Sequence, residues 1–255
     1  MSAVKNPSIG TLKESSLHKS LKLYYSGEDG QIEYTTDSFV CDAITGYGEI
    51  IEVQTGSFAP LKEKAKLLCK NNRLKIVHPV ICAKNIEVYT GKNKLIRRRK
   101  SRIKGCKWDL FNALVYAPML PKIKNLSIEL ILIDITEKRM DDGKGSWRRK
   151  GISIKDRFLD NIHGSLILKK PGDYLDFIPF TKEDEFTAKE MAEKAKINMA
   201  LARKTLYSLN KMGVLEYSGK RSAAYLYRIK TKPPRMHMQS KKKPAPRKGA
   251  GIINN

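Results

Sequence analysis

Phe39-Val-Cys-Asp-Ala-Ile44, Thr45-Gly-Tyr-Gly48 and Glu49-Ile-Ile-Glu-Val-Gln54 form one continuous stretch, and its reading decides the fold. Two runs rich in apolar and β-branched residues flank a short turn. Glycines at 46 and 48 permit the positive φ that a tight hairpin loop needs. If Thr45 pairs with Glu49, residue numbers across the ladder sum to 94, and Asp42 then faces Glu52. Directly opposed side chains lie ~5 Å apart at Cβ, and like charges there destabilise a sheet. A divalent cation between the carboxylates removes the conflict. Gln54, two residues past Glu52, shares its face, and the Val53 carbonyl lies nearby. The spacing predicts a Mg²⁺ cradle with Gln54 beside the scissile group. The plainer alternative is that lysines or arginines neutralise both carboxylates. Val40, Ile44, Ile50, Ile51 and Val53 surround them, and an unpaired buried carboxylate is costly.

Outward from the hairpin, residues 12–25 read as a helix, with Leu17, Leu21 and Tyr24 at helical spacing. Residues 31–40 read as extended. Residues 60–71 form an amphipathic helix opened by Pro60. Leu74 to Cys82 is a buried strand in which Pro79 demands an edge or an interruption. Further on come a basic hairpin (Ile86–Tyr89, Lys94–Arg99), a helix over Trp108–Tyr116 that must end before Pro118, and a strand over Ser127–Asp134. Residues 137–157 are polar, and Gly143 to Gly151 reads as a flexible basic loop.

Helix, three-stranded meander with Asp then Glu-x-Gln, helix, strand resembles the core of the PD-(D/E)XK nuclease superfamily, the restriction-endonuclease-like fold. Asp42 and Glu52-Val53-Gln54 carry the resemblance, over roughly residues 11–83. It implies an α/β mixed sheet flanked by helices. It also implies Mg²⁺ or Mn²⁺ held by Asp42 and Glu52, which lowers the pKa of a bound water and neutralises charge in the transition state. Some members add an acid from the first helix, for which Glu14 is the candidate; its plainer role is to complement the helix dipole. His18, one turn on, reaches toward the same cleft or is structural. The pattern ends in Gln54 rather than the usual Lys, so a charged electrophile is missing while a water-positioning group remains.

Residues 184–230 resemble a winged helix-turn-helix domain: helix Phe186–Ala195, helix Met199–Met212, then two strands within Val214–Ile229. Thr187-Ala-Lys-Glu190 fits a capping box, Asn198 caps the next helix and Gly213 closes it. In that fold the second helix enters the major groove. Its outward positions would include Arg203, Lys204, Tyr207, Ser208 and Lys211, with Lys220 and Arg221 at the wing tip set to touch phosphates. The alternative is a protein-interaction domain with a solvated basic helix. Residues 84–183 extend the nuclease-like sheet or bridge the two units.

Composition adds the substrate class. The chain has 255 residues with 50 Lys and Arg against 26 Asp and Glu, a net charge of +24. Residues 231–255 read as a disordered basic tail with seven of those cations and no acid, so the body is basic too. Self-repulsion of this size points to a polyanionic partner. Arg97-Arg-Arg-Lys-Ser-Arg102 and Trp147-Arg-Arg-Lys150 are solvated loops or hold a phosphate backbone; Trp108 and Trp147 read as packing residues, with stacking on a base as the alternative for Trp147. No apolar run approaches the ~18 residues of a membrane span, and the N-terminus lacks a signal-peptide core. Cys41, Cys69, Cys82 and Cys106 show no metal spacing and read as reduced, cytoplasmic thiols. No P-loop or Rossmann glycine pattern is present.

Two readings follow. One is a metal-dependent DNA endonuclease positioned by a winged helix. The other is a DNA-binding regulator whose nuclease-like domain is an inactive scaffold or homodimer interface. RNA binding or processing is a third.

Overall fold

The structure, a computed structural model, describes residues 14–36 and 39–230. The basic tail at 231–255 lies outside the described residues, as do Leu12, Lys13, Asp37 and Ser38. The chain opens with helix α1 (Ser16–Ser26), strands β1 (Gln31–Thr36), β2 (Phe39–Ile44) and β3 (Glu49–Val53), and helix α2 (Leu61–Leu68). The long strand β4 (Arg73–Thr90) follows, then β5 (Leu95–Lys100), the short helix α3 (Leu110–Leu114), β6 (Leu126–Asp141) and β7 (Ile152–Leu168).

These strands form one mixed sheet in the order β1-β2-β3-β4-β6-β7, with β5 paired to the far half of β4. β1, β2 and β3 are an antiparallel meander; β4 runs parallel to β3 and to β6; β7 is antiparallel to β6. The expected order of helix, meander, helix and strand is therefore present, and residues 84–168 extend the same sheet.

A helix covers each face of the meander. Ser15 caps α1 by accepting the His18 N–H, which starts the helix at Ser16 rather than at residue 12. Leu17 and Leu21 pack onto Ala43, Ile51, Val53, Val77 and Ile131. On the opposite face, Leu61, Ala65 and Leu68 of α2 pack onto Cys41, Ile50 and Ile76. Alternation along each strand supplies one apolar side chain to each layer.

Two strands run well past their expected ends. β4 passes straight through Pro79, which stands opposite Ile131 of β6. The last β3–β4 rung is Val53–Val77, so at Pro79 the strand has a neighbour on one side only. That is the local edge a proline needs. β6 and β7 occupy most of the polar region 137–157, and only residues 142–151 remain as their connection.

The described residues close with α4 (Ala188–Ala195), α5 (Met199–Lys211) and the hairpin β8 (Leu215–Arg221) and β9 (Ala224–Ile229). The Thr187–Glu190 capping box and the Asn198 cap are formed, and Gly213 takes φ +79° to end α5. Phe186, Met191, Leu206 and Leu209 join the cluster beneath α2, so the apolar core runs unbroken from the sheet into this unit. No helix among the described residues is long and apolar enough to cross a membrane.

Candidate functional site

The β2–β3 hairpin keeps its expected register only near the turn. Thr45 N–H donates to Glu49 O, and Ile44–Ile50 and Ala43–Ile51 pair in register. The ladder stops there. Cys41 and Ala43, two residues apart, lie in the cores on opposite faces of the sheet, so β2 leaves the regular pleat at Asp42. Asp42 consequently turns toward α1, while Glu52, in step with Ile50, faces α2. The expected opposition of the two carboxylates is not what forms.

Asp42 is surrounded by donors. Its Oδ2 accepts the Val53 N–H at 2.8 Å and lies 3.2 Å from His18 Nε2; its Oδ1 lies 3.0 Å from Lys22 Nζ. Burial works against the charged carboxylate, yet His18, the Val53 amide and Lys22 together hold its pKa below the ordinary value. His18 Nε2 also lies 2.9 Å from Val53 O, and its Nδ1 is 2.8 Å from Glu14 Oε1. Both ring nitrogens thus face acceptors only, the surroundings of an imidazolium. Burial opposes that charge, but Asp42 outweighs it and the His18 pKa is raised.

Lys22 completes the cluster. It is 5 % exposed. Its ammonium contacts Glu14 Oε1 at 2.8 Å, Asp42 Oδ1 at 3.0 Å and the Glu33 carboxylate. Burial disfavours the cation, but the three carboxylates outweigh it and its pKa is raised. Glu14 therefore does reach Asp42's surroundings, from just ahead of the α1 cap, and does so through Lys22 and His18.

Glu52 has a separate partner. Lys64 of α2 is ion-paired with its Oε1 at 2.5 Å and donates its hydrogen bond to Val40 O, so the buried Glu52 Oε1 accepts none among the described residues. Burial leaves the Glu52 pKa raised, because Lys64 offsets only part of the desolvation. Burial also pushes the neighbouring Cys41 thiol up to about 12, so it is no thiolate at neutral pH. Gln54 is engaged elsewhere: its side-chain amide donates to Ser57 O at 2.7 Å, and its carbonyl accepts from His78 Nδ1. It touches neither carboxylate through these bonds.

A divalent cation at this place needs several free carboxylate oxygens converging on one point. Here Asp42 and Glu52 diverge, and lysines already hold them. Among the described residues no group of three or more His, Cys, Asp or Glu is placed to hold a metal ion. As they stand, Asp42, Glu52 and Gln54 do not fit Mg²⁺ or Mn²⁺. Lys22 and Lys64 were the residues sequence reasoning missed. Their signal was a lysine on the apolar face of each helix, beside Leu21 and Leu61.

The candidate nucleic-acid contacts divide similarly. Arg203, Tyr207 and Lys211 form an exposed stripe along α5 at four-residue intervals. Ser208 is buried, its hydroxyl donating to Lys204 O, so its expected outward position is corrected. Lys204 is half-buried and donates to Asn112 Oδ1 of α3. Lys220 is exposed near the hairpin tip, its ammonium 5.1 Å from the Tyr225 ring centre. Arg221 instead folds back onto Glu190 at 2.7 Å, which takes it away from the expected phosphate contact.

Comparison with known proteins places the sheet within a family. No solved structure matches the chain. An uncharacterized protein of Treponema pallidum (strain Nichols) is 26 % identical over 220 residues, covering 86 % of this chain and 87 % of that protein. The model of the family described as a domain of unknown function, DUF8091, matches residues 15–169, from the α1 cap to the end of β7. That match spans more than half of the sequence, and the chain belongs to the DUF8091 family.

Proposed function

We propose that this protein binds DNA, using a restriction-endonuclease-like sheet as a scaffold and a C-terminal winged helix as one contact. The observation that carries the reading is the distribution of charge. The acids of the core are spent internally: Glu14, Glu33 and Asp42 on Lys22, Glu52 on Lys64, Glu129 on Lys75, and Glu137 on Arg139 and Arg157. The described residues still carry 41 Lys and Arg against 25 Asp and Glu, an excess of +16 that these internal pairs do not cancel and that a polyanion answers. On α5, the Arg203, Tyr207 and Lys211 stripe is free to enter a groove.

A metal-dependent deoxyribonuclease is the second reading. The strand order, the meander and Asp42 followed by Glu52-Val53-Gln54 favour it. It requires Mg²⁺ or Mn²⁺ to displace Lys22 and Lys64.

One assay separates the two. Plasmid, linear duplex, branched and single-stranded DNA, and RNA, are incubated with the native protein and with Asp42→Asn, in Mg²⁺, Mn²⁺ or EDTA. The scaffold reading expects retarded but intact duplex in every condition, with the variant indistinguishable. Metal-dependent cutting that Asp42→Asn abolishes selects the nuclease. Failure to retard any DNA overturns both, and preference for RNA at equal salt selects RNA binding.

A further inference from the structure

Half of the net charge sits on one projection of the sheet. Residues 84–104 and 137–157 carry seventeen Lys and Arg against five Asp and Glu, a net +12 in 42 residues. Residues 184–230, the unit that contains α5, carry ten against five in 47 residues. The projection begins where β3 ends. From His78 to Thr90, β4 continues with β6 as its neighbour on one side, and β5 joins its other side from Asn85. Thr90 stands opposite Asp141, so the β4–β5 turn and the β6–β7 connection meet at the far end.

Its outer edge is β5, all six of whose residues are exposed. Antiparallel partners share a face of the sheet. Arg97 lies opposite Val88 and Arg99 opposite Ile86, on one face; Arg98 lies opposite Glu87 and Lys100 opposite Asn85, on the other. The edge thus presents two cations to each side. Arg98 has one acidic neighbour, Glu87 at 3.3 Å, and Arg97, Arg99 and Lys100 form no ion pair among the described residues. At the far end, Trp147 is 83 % exposed. The turn that displays it is tight: a Cβ on Gly145 would lie 1.9 Å from Ile152 O, and Gly145 N–H donates to Gly151 O.

A flat anionic surface would engage one face of such an edge and leave the other cations unanswered. A groove with a phosphate row on each wall answers both. The major groove of B-DNA, ~12 Å wide, admits a β-ribbon, whereas that of A-form RNA is too deep and narrow. We propose that β5 enters the major groove of duplex DNA, with Arg97 and Arg99 on one phosphate row and Arg98 and Lys100 on the other. This rests on the DNA-binding reading above. It makes the sheet projection, rather than α5, the main source of affinity.

The test is the salt dependence of binding to a duplex DNA, read by fluorescence anisotropy. The native protein is compared with Arg97→Ala/Arg98→Ala/Arg99→Ala/Lys100→Ala and with Arg203→Ala/Tyr207→Ala/Lys211→Ala. All seven side chains are exposed, so circular dichroism and melting should match the native protein. Each phosphate contact contributes about 0.9 to the slope of log K against log salt. The β5 variant should lose about 3 to 4 from that slope and more affinity than the α5 variant does. A β5 variant that binds within about two-fold of native, with an unchanged slope, overturns the inference and leaves DNA binding standing. A native protein that does not bind duplex DNA at low salt overturns both. Equal or tighter binding of duplex RNA or of anionic phosphatidylserine vesicles, lost in the β5 variant, overturns the choice of ligand.

Discussion

The Asp42–Glu52 end of the sheet and the β4–β7 projection are built from the same strands and use charge in opposite ways. At the first, three carboxylates close around one buried ammonium, and a fourth is held by Lys64. At the second, cations crowd an exposed edge with few acids to meet them. Buried ions have to be paired within the fold. Exposed ions need no internal partner and remain available to an external one. The two ends differ accordingly: the carboxylates of the motif that looks most chemical in the sequence are ion-paired within the fold, and Arg97, Arg99 and Lys100 of the basic edge have no acidic partner among the described residues.

Breaking the closed end should have the largest effect on stability. Lys22→Met removes the cation shared by Glu14, Glu33 and Asp42, and leaves the buried Asp42 with His18 and the Val53 amide. Breaking a buried pair from one side costs about 3–5 kcal/mol. Urea denaturation should show that loss, while duplex affinity below the new transition stays native. Unchanged stability would mean that the acids are not held by Lys22.

The projection should show the reverse. Each of the four β5 substitutions should change stability by no more than ~0.5 kcal/mol, so the combined variant stays within ~2 kcal/mol of native. Its loss should be in DNA affinity alone. A variant that fails both measurements would make β5 part of the fold's support and erase the contrast.

A smaller effect is expected at the C-terminal unit. The Thr187 hydroxyl accepts the Glu190 N–H, and Glu190 returns a bond to the Thr187 N–H. Thr187→Ala should cost about 1 kcal/mol in denaturation. Glu190 also holds Arg221, so Glu190→Gln should free that arginine and slightly strengthen DNA binding. Unchanged or weaker binding would show that Arg221 is not a latent phosphate contact.

The finest test is pH. The folded His18 pKa is raised, so its contribution is fully present below the unfolded value of ~6.5 and fades as pH rises through the folded pKa. Asp42, whose pKa is lowered, contributes above ~3.9 and is lost only as pH falls through its folded value. The melting temperature should therefore drop on the alkaline side of the His18 transition, and His18→Gln should flatten that drop. An unaltered pH profile in the variant would contradict an imidazolium between Glu14 and Asp42.

The sequence made local features legible. The hairpin turn, the Thr187 box, the Asn198 cap and the helix periodicity each depend on neighbours within a few residues, and each formed. The register near Thr45 was also readable, because a short turn fixes it. What failed depended on distant partners. Pro79 left an edge and an interruption open, and only the end of β3 at Val53 decides for the edge. β7 was hidden because the β6–β7 ladder shifts register at Leu132/Ile133, Asp134/Ile135 and Lys138/Arg139, which breaks the two-residue alternation. The carboxylate pair was misplaced because β2 leaves the pleat at Asp42, and the pull of His18 and Lys22 toward α1 is tertiary. The spacing identified Asp42, Glu52 and Gln54 as a chemical pattern but carried no information about Lys22 or Lys64.

The most direct test of the closed end is a Mn²⁺ titration of the native protein followed by electron paramagnetic resonance, with Asp42→Asn alongside. Free Mn²⁺ signal should track added metal equally in both proteins, because Lys22 and Lys64 already occupy the carboxylates. One equivalent of bound Mn²⁺ in the native protein, absent from Asp42→Asn, would contradict it and restore the metal-dependent nuclease.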